Sequence, residues 1–207
     1  MLQDLISGDT RNYFHIPALR YVEYKQVARS FESSLWMLPP AQLYDDILVE
    51  LQTPGNGDSS SPTIRSYTAH DYAELFSDAG SDLFDFMWQL VQHLTAFDEE
   101  TQQLADPGVA VHPIYSTGIE TVTKYIYHGT FDSEPTAVAD WAGDGTIQLK
   151  GLQAGNHWNQ TKVQLELVNT THVGVCSHPD ALDYIRQIIG APGSKRGAIR
   201  KRVSTAK

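Results

Sequence analysis

The chain has 207 residues, 41% of them hydrophobic, which is enough for one domain with a sizeable core and argues against wholesale disorder. Its formal charge is −10, yet six of its fifteen basic residues, Lys195, Arg196, Arg200, Lys201, Arg202 and Lys207, crowd the closing "KRGAIRKRVSTAK", which holds no acid. Without those six, nine bases face twenty-five acids, a net of −16, which argues against a body that grips nucleic acid by its phosphates.

The composition therefore reads as one domain closed by a basic, disordered tail. Cys176 is the single cysteine, so no intrachain disulfide and no cysteine-built zinc site is possible, and the residue is expected to be a small buried apolar side chain. The opening "MLQDLISGDT" lacks the basic start and apolar core of a signal peptide, and no run approaches the length of a membrane-spanning helix. Asn159-Gln160-Thr161 and Asn169-Thr170-Thr171 are N-glycosylation acceptor triplets, a pattern that also arises by chance.

In chain order, Leu19, Val22, Tyr24, Val27 and Phe31 recur loosely at helical spacing before "SSLWMLPP", whose prolines stop the pattern. "DDILVELQT" has strand composition and "PGNGDSSSP" loop composition. Thr68 and Asp71 form a capping box before "YAELF", and "SDLFDFMWQLVQHL" sets Leu83, Met87, Leu90, Val91 and Leu94 on one helical face, with Trp88 as a core aromatic. "GVAVHPIYSTG" and "VTKYIYHG" read as strands. Beyond Asp144, a helical pattern interrupted by Gly151 and Gly155 leads to "KVQLELV", where Val163, Leu165 and Leu167 alternate as in a strand. The loop "NTTHVGVCS" follows. "HPDALDYIRQIIG" then predicts a helix with Pro179 in its first turn, Leu182, Ile185 and Ile189 on one face, and Gly190 at its stop.

The order of carboxylate, helix, strand, histidine and helix permits an acid–base couple, because loops at neighbouring strand ends can bring an imidazole to a buried carboxylate. Asp144 lies between two glycines in "GDGT", where it could accept backbone N–H bonds that keep it ionised; Gly-Asp-Gly is equally the composition of an ordinary tight turn. A calcium loop starting at Asp140 is rejected, since Ala142 and Gly151 stand where oxygen ligands are needed. Of the eight histidines, His172 alone sits in a short loop between a strand and a helix downstream of that turn, though a loop histidine is also compatible with plain exposure. No ligand cluster points to a metal or a cofactor.

Three blocks, "GDGTIQLKGLQAGNHW", "QLELVNTTHVGV" and "ALDYIRQIIGAP", resemble the lecithin:cholesterol acyltransferase family, and within it the lysosomal phospholipase branch. The resemblance continues upstream through "LISGDTRNYFHIP", "SSLWMLPP", "YTAHDYAELFSDAG" and "GVAVHPIYSTGI", nearly the whole chain to about Pro192. It implies an α/β-hydrolase with a Ser-Asp-His triad that passes an acyl chain from a glycerophospholipid to serine and then to water or a lipid alcohol. Asp144 matches the triad acid and His172 the base. Residues 9–36 resemble the family's lid.

In this fold the serine precedes the acid on a G-x-S-x-G elbow, and no such elbow occurs here: Ser59 lacks the closing glycine and Ser116 the leading one. The expectation is an incomplete α/β-hydrolase fold, the C-terminal half of the central sheet plus a lid or cap segment, whose strands "VAVHPIY" and "VQLELV" are short of partners. Loss of a triad serine costs about a million-fold in rate, so the chain alone is expected to be inactive. The full-length parent is expected to be lysosomal or secreted, to act on phospholipid with a lipid-alcohol acceptor, and to touch a membrane or lipoprotein surface. A glycan on Asn169 would crowd His172, which makes Asn159 the better acceptor. The contrasting reading is a non-catalytic lipid- or partner-binding remnant of the same family.

Overall fold

The structure, a computed structural model, describes residues 2–7, 29, 32–55, 61–81 and 104–191. Most of the lid-like stretch 9–36, the helical face from Leu83 to Leu94 with Trp88, Ser59 and the basic tail lie outside the described residues. The elements in chain order are α1 (Leu2–Ile6), α2 (Glu32–Trp36), β1 (Val49–Thr53), β2 (Thr63–Tyr67), α3 (Tyr72–Asp78), β3 (Ile114–Thr117), β4 (Thr121–His128), β5 (Thr136–Asp140), α4 (Leu149–Leu152), β6 (Leu165–Val168) and α5 (Pro179–Ile188). They form a mixed α/β architecture. The chain divides into two compact units, residues 1–103 with 123–138, and residues 104–122 with 139–207. Among the described residues no helix is long and apolar enough to cross a membrane.

The first unit is built on a sheet of order β2-β1-β4-β5, in which β1 runs antiparallel to β2 and parallel to β4. The capping box is present as expected: the Asp71 carboxylate accepts the backbone N–H of Thr68 at 2.8 Å, and Thr68 Oγ1 accepts the N–H of His70 at 3.2 Å. It starts a one-turn 3-10 segment that feeds α3, whose Tyr72, Leu75 and Phe76 fall on one face at i, i+3 and i+4 and are buried. They pack with Leu5, Ile6, Val49, Tyr67 and Tyr127 in a single apolar cluster. Each large side chain so buried contributes roughly 1.5–3 kcal/mol.

Arg29 ties two helix ends of this unit together. Its guanidinium donates to the carbonyls of Leu5 at 2.8 Å and Ile6 at 3.3 Å, the last two residues of α1, and to those of Ala79 at 2.9 Å and Gly80 at 3.0 Å, just past α3. Carbonyls at a helix C-terminus have no intrahelical donor, and a planar cation with five N–H groups can serve several at once.

The second unit contains a two-stranded parallel sheet, β3 with β6, in register Ile114↔Leu165 to Thr117↔Val168. Each of these two strands has the other along one edge. Both are shorter than their apolar runs. Pro113 has no N–H to give a ladder, and Val111 makes only an isolated bridge to Thr161.

α4 spans four residues, and a 3-10 turn, Ala154–His157, follows it. Gly155 is required there, because a Cβ would lie 2.6 Å from the Trp158 ring, which is itself fixed by its indole N–H on the Leu104 carbonyl at 2.7 Å. α5 begins with His178 as its cap, Nδ1 accepting the N–H of Asp180 at 3.2 Å, and Pro179 in the first turn. Its inward residues are Ala181 and Tyr184, whereas Leu182, Ile185 and Ile189 are exposed. Another side of the helix is held inward by the Tyr184 hydroxyl, which donates to the Val163 carbonyl and meets His112 Nδ1 at 3.2 Å. Cys176 is exposed rather than buried. It lies in the one-turn segment Gly174–Ser177, too short to present an inner face, and none of that segment's residues is buried.

Candidate active site

The turn carrying Asp144 is built by its glycines. A Cβ on Gly143 would lie 2.4 Å from Thr121 Oγ1 and 2.6 Å from the Ile147 carbonyl, so no side chain fits. Gly145 has φ +89°, in the left-handed region, and a Cβ there would also meet the Ile119 side chain at 2.9 Å. With both side chains absent, the backbone folds back on itself: Asp144 Oδ1 accepts the N–H groups of Thr146 at 3.0 Å and Ile147 at 2.9 Å. The carboxylate is 2% exposed, and those two donors replace the water it gives up.

Asp144 Oδ2 is left for another partner, and His172 supplies it. Its Nδ1 lies 2.7 Å from Oδ2, and its backbone N–H donates to the Asp144 carbonyl at 2.9 Å. His172 follows β6 on a loop shaped by Asn169, whose φ of +58° is the only positive value at a non-glycine among the described residues. An ionised carboxylate can only accept, so the facing ring nitrogen donates to it, and in the neutral imidazole the lone pair then falls on Nε2. The His172 side chain is 43% exposed and Nε2 has no hydrogen-bond partner among the described residues. The structure thus brings together the two residues that the sequence singles out. Chemically, the arrangement offers an imidazole with one nitrogen anchored and the other open to take a proton.

Two further residues escape sequence reasoning. Thr121, 1% exposed, accepts the N–H of Gly145 on Oγ1 at 2.9 Å, and its hydroxyl donates to the Ile119 carbonyl at 2.9 Å. Ser116 is fully buried in β3, where its Oγ accepts the N–H of Thr170 at 3.1 Å. Its burial fits its failure to satisfy the elbow pattern. The signal for Thr121 is slight, a hydroxyl at the head of an otherwise ordinary strand. Asn159 and Asn169 are both exposed. Among the described residues no group of three or more His, Cys, Asp or Glu side chains could hold a metal ion.

No family model matches the chain. It is similar to lysosomal phospholipase A and acyltransferase of Homo sapiens, with 29% identity over 196 residues, covering 92% of this chain and 43% of that protein. It is also similar to phosphatidylcholine-sterol acyltransferase of Gallus gallus, 27% identical over 168 residues (80% of this chain, 36% of that protein), and of Homo sapiens, 26% identical over 190 residues (89% and 39%). The chain spans less than half the length of these curated relatives.

Proposed function

We propose that this chain, which matches the lecithin:cholesterol acyltransferase family along the C-terminal part of its members, carries the acid and base of a lipid acyl hydrolase or acyltransferase on an α/β-hydrolase fold. The observation that carries the reading is the 2.7 Å contact between His172 Nδ1 and the buried Asp144 carboxylate. The relatives named as phospholipase and acyltransferase supply the reaction class.

In this reading His172 Nε2 takes the proton of a serine hydroxyl as that oxygen attacks an ester carbonyl of a glycerophospholipid. Asp144 stabilises the imidazolium that forms. The proton then passes to the departing glycerol oxygen, leaving an acyl-serine and a lysophospholipid. Water or a lipid alcohol next gives a proton to Nε2 and attacks the acyl carbon, and the serine recovers its hydrogen. The serine is not among the residues of this chain, because no G-x-S-x-G elbow occurs in it. The same reading makes the full-length protein a lysosomal or secreted enzyme with a lid over residues 9–36, contact with a lipid surface, and Asn159 as the preferred glycan acceptor.

The test compares the chain alone with the chain joined to a segment that supplies a nucleophile elbow, on phosphatidylcholine vesicles. Fatty acid release only from the joined form, abolished by His172→Ala and Asp144→Asn, is the expected result. Release that survives both substitutions would exclude the reading. Exposed Trp36 and Met37, at 47% and 56%, favour a second reading, a non-catalytic lipid-binding remnant. That alternative predicts vesicle binding with no release by the joined form.

A further inference from the structure

We propose that Ser116 and Thr121 are positioning residues for the acid–base pair, a role that rests on the functional reading above. These two buried hydroxyls stand at the ends of one short segment, and each takes a backbone N–H from one of the loops that carry Asp144 and His172.

The segment 116–121 is bonded to both loops in turn. On the acid side, the Gly118 N–H donates to the Trp141 carbonyl at 3.2 Å, the Ile119 N–H to the Gly143 carbonyl at 3.1 Å, and Thr121 receives the Gly145 N–H. On the base side, the Thr117 carbonyl accepts the Asn169 N–H at 2.8 Å and Ser116 receives the Thr170 N–H. Contact is equally tight: a Cβ on Gly118 would lie 2.7 Å from Asn169 Oδ1, and one on Gly143 2.4 Å from Thr121 Oγ1. Each loop is therefore referenced to the same six residues, and that common frame, beside the direct bond from the His172 N–H to the Asp144 carbonyl, sets the distance between carboxylate and imidazole.

The chemistry separates a hydroxyl's role from that of its volume. Thr121 spends its one hydrogen on the Ile119 carbonyl, so it meets Gly145 with a lone pair. Serine can do the same. Valine has the shape of threonine and neither function, so Thr121→Val frees the Gly145 N–H while leaving little new space. The turn that aims Asp144 then loses its outer tie, one residue from the carboxylate. Ser116→Ala does the same to the loop of His172, two residues ahead of the imidazole.

The experiment reads the tautomer of His172 from its imidazole 15N shifts in the full 207-residue chain, with thermal melting alongside. The intact chain is expected to hold the Nδ1–H form, and Asp144→Asn to lose it. Thr121→Val and Ser116→Ala are expected to lose that preference, and Thr121→Ser to keep it. Wild-type tautomer in both hydroxyl-deleted variants, with only a lowered melting temperature, would overturn the proposal, as would loss in Thr121→Ser. Should Thr121→Val not fold, Ser116→Ala and Thr121→Ser decide by the same measure. A wild-type tautomer in Asp144→Asn is the separate outcome in which the pairing of Asp144 with His172 itself fails.

Discussion

The side chains of Asp144 and His172 meet in a hydrogen bond of 2.7 Å but differ sharply in exposure, 2% against 43%. The buried partner depends on the protein for all its hydrogen bonds. Asp144→Ala would strand the N–H groups of Thr146 and Ile147 as well as His172, and is expected to cost about 1–3 kcal/mol in urea denaturation. His172→Ala, by contrast, removes a side chain that water already reaches and should cost less.

Substitution of the glycines should rank by contact and not by φ alone. Gly143→Ala forces a Cβ onto Thr121 Oγ1 and the Ile147 carbonyl and is expected to cost on the order of 1–3 kcal/mol, as overpacking does. Gly129 has φ +84° but open space around its would-be Cβ, so Gly129→Ala meets backbone strain only, roughly 1–2 kcal/mol. Circular dichroism melts of the two variants provide the comparison, and only Gly143→Ala should also disturb the His172 resonances.

Acid sensitivity of the first unit has an identifiable contributor. The Thr68 backbone N–H, and then its hydroxyl, hold the Asp71 carboxyl below its ordinary value. A depressed folded-state value means stability present above the unfolded-state pKa, near 4, and lost as pH falls through the folded one. Asp71→Asn should therefore lower the melting temperature at neutral pH, by an amount matching the ~0.5–2 kcal/mol of a helix cap, and flatten the acid limb of a pH–stability curve.

At the alkaline end the sign reverses. Burial first, and the bond to Asp78 at 2.6 Å second, raise the Tyr67 hydroxyl well above its usual range. Its contribution is complete below about pH 10, where the unfolded phenol is still protonated, and fades as the pH climbs toward the folded value. Tyr67→Phe is expected to remove that part of the alkaline limb while costing ~1 kcal/mol at neutral pH. Denaturation midpoints measured between pH 8 and about pH 11 would show it.

Arg29→Lys replaces a five-donor plane with a compact ammonium that cannot reach four carbonyls on two helix ends. The expected loss is about 1.5–3 kcal/mol, read by thermal melting, with Arg29→Ala no better tolerated.

How much of this was legible beforehand differs by element. The capping box at Thr68 and Asp71, the strand at Val49 and the proline start of α5 follow local rules, and local rules survive in the folded chain. The meeting of Asp144 with His172 was legible only through the order of elements and a family resemblance, because two residues 28 positions apart carry no mutual signal in composition. Ser116 and Thr121 were not legible as supports, since a buried hydroxyl announces itself only through the backbone group it faces. The inward face of α5 was not legible for a related reason. Periodicity favours Leu182, Ile185 and Ile189, but the Tyr184 hydroxyl finds a carbonyl on the other side and turns the helix.

Parallel pairing of β3 with β6 has a kinetic consequence. Parallel neighbours cannot be joined by a hairpin, so the chain between them, which includes the Asp144 turn, must be gathered in before the first rung of that ladder closes. Contacts of such long reach form slowly. In a refolding experiment the imidazole should therefore find its carboxylate only once β3 has paired with β6, and amides of the 169–172 loop should gain protection from exchange together with that ladder.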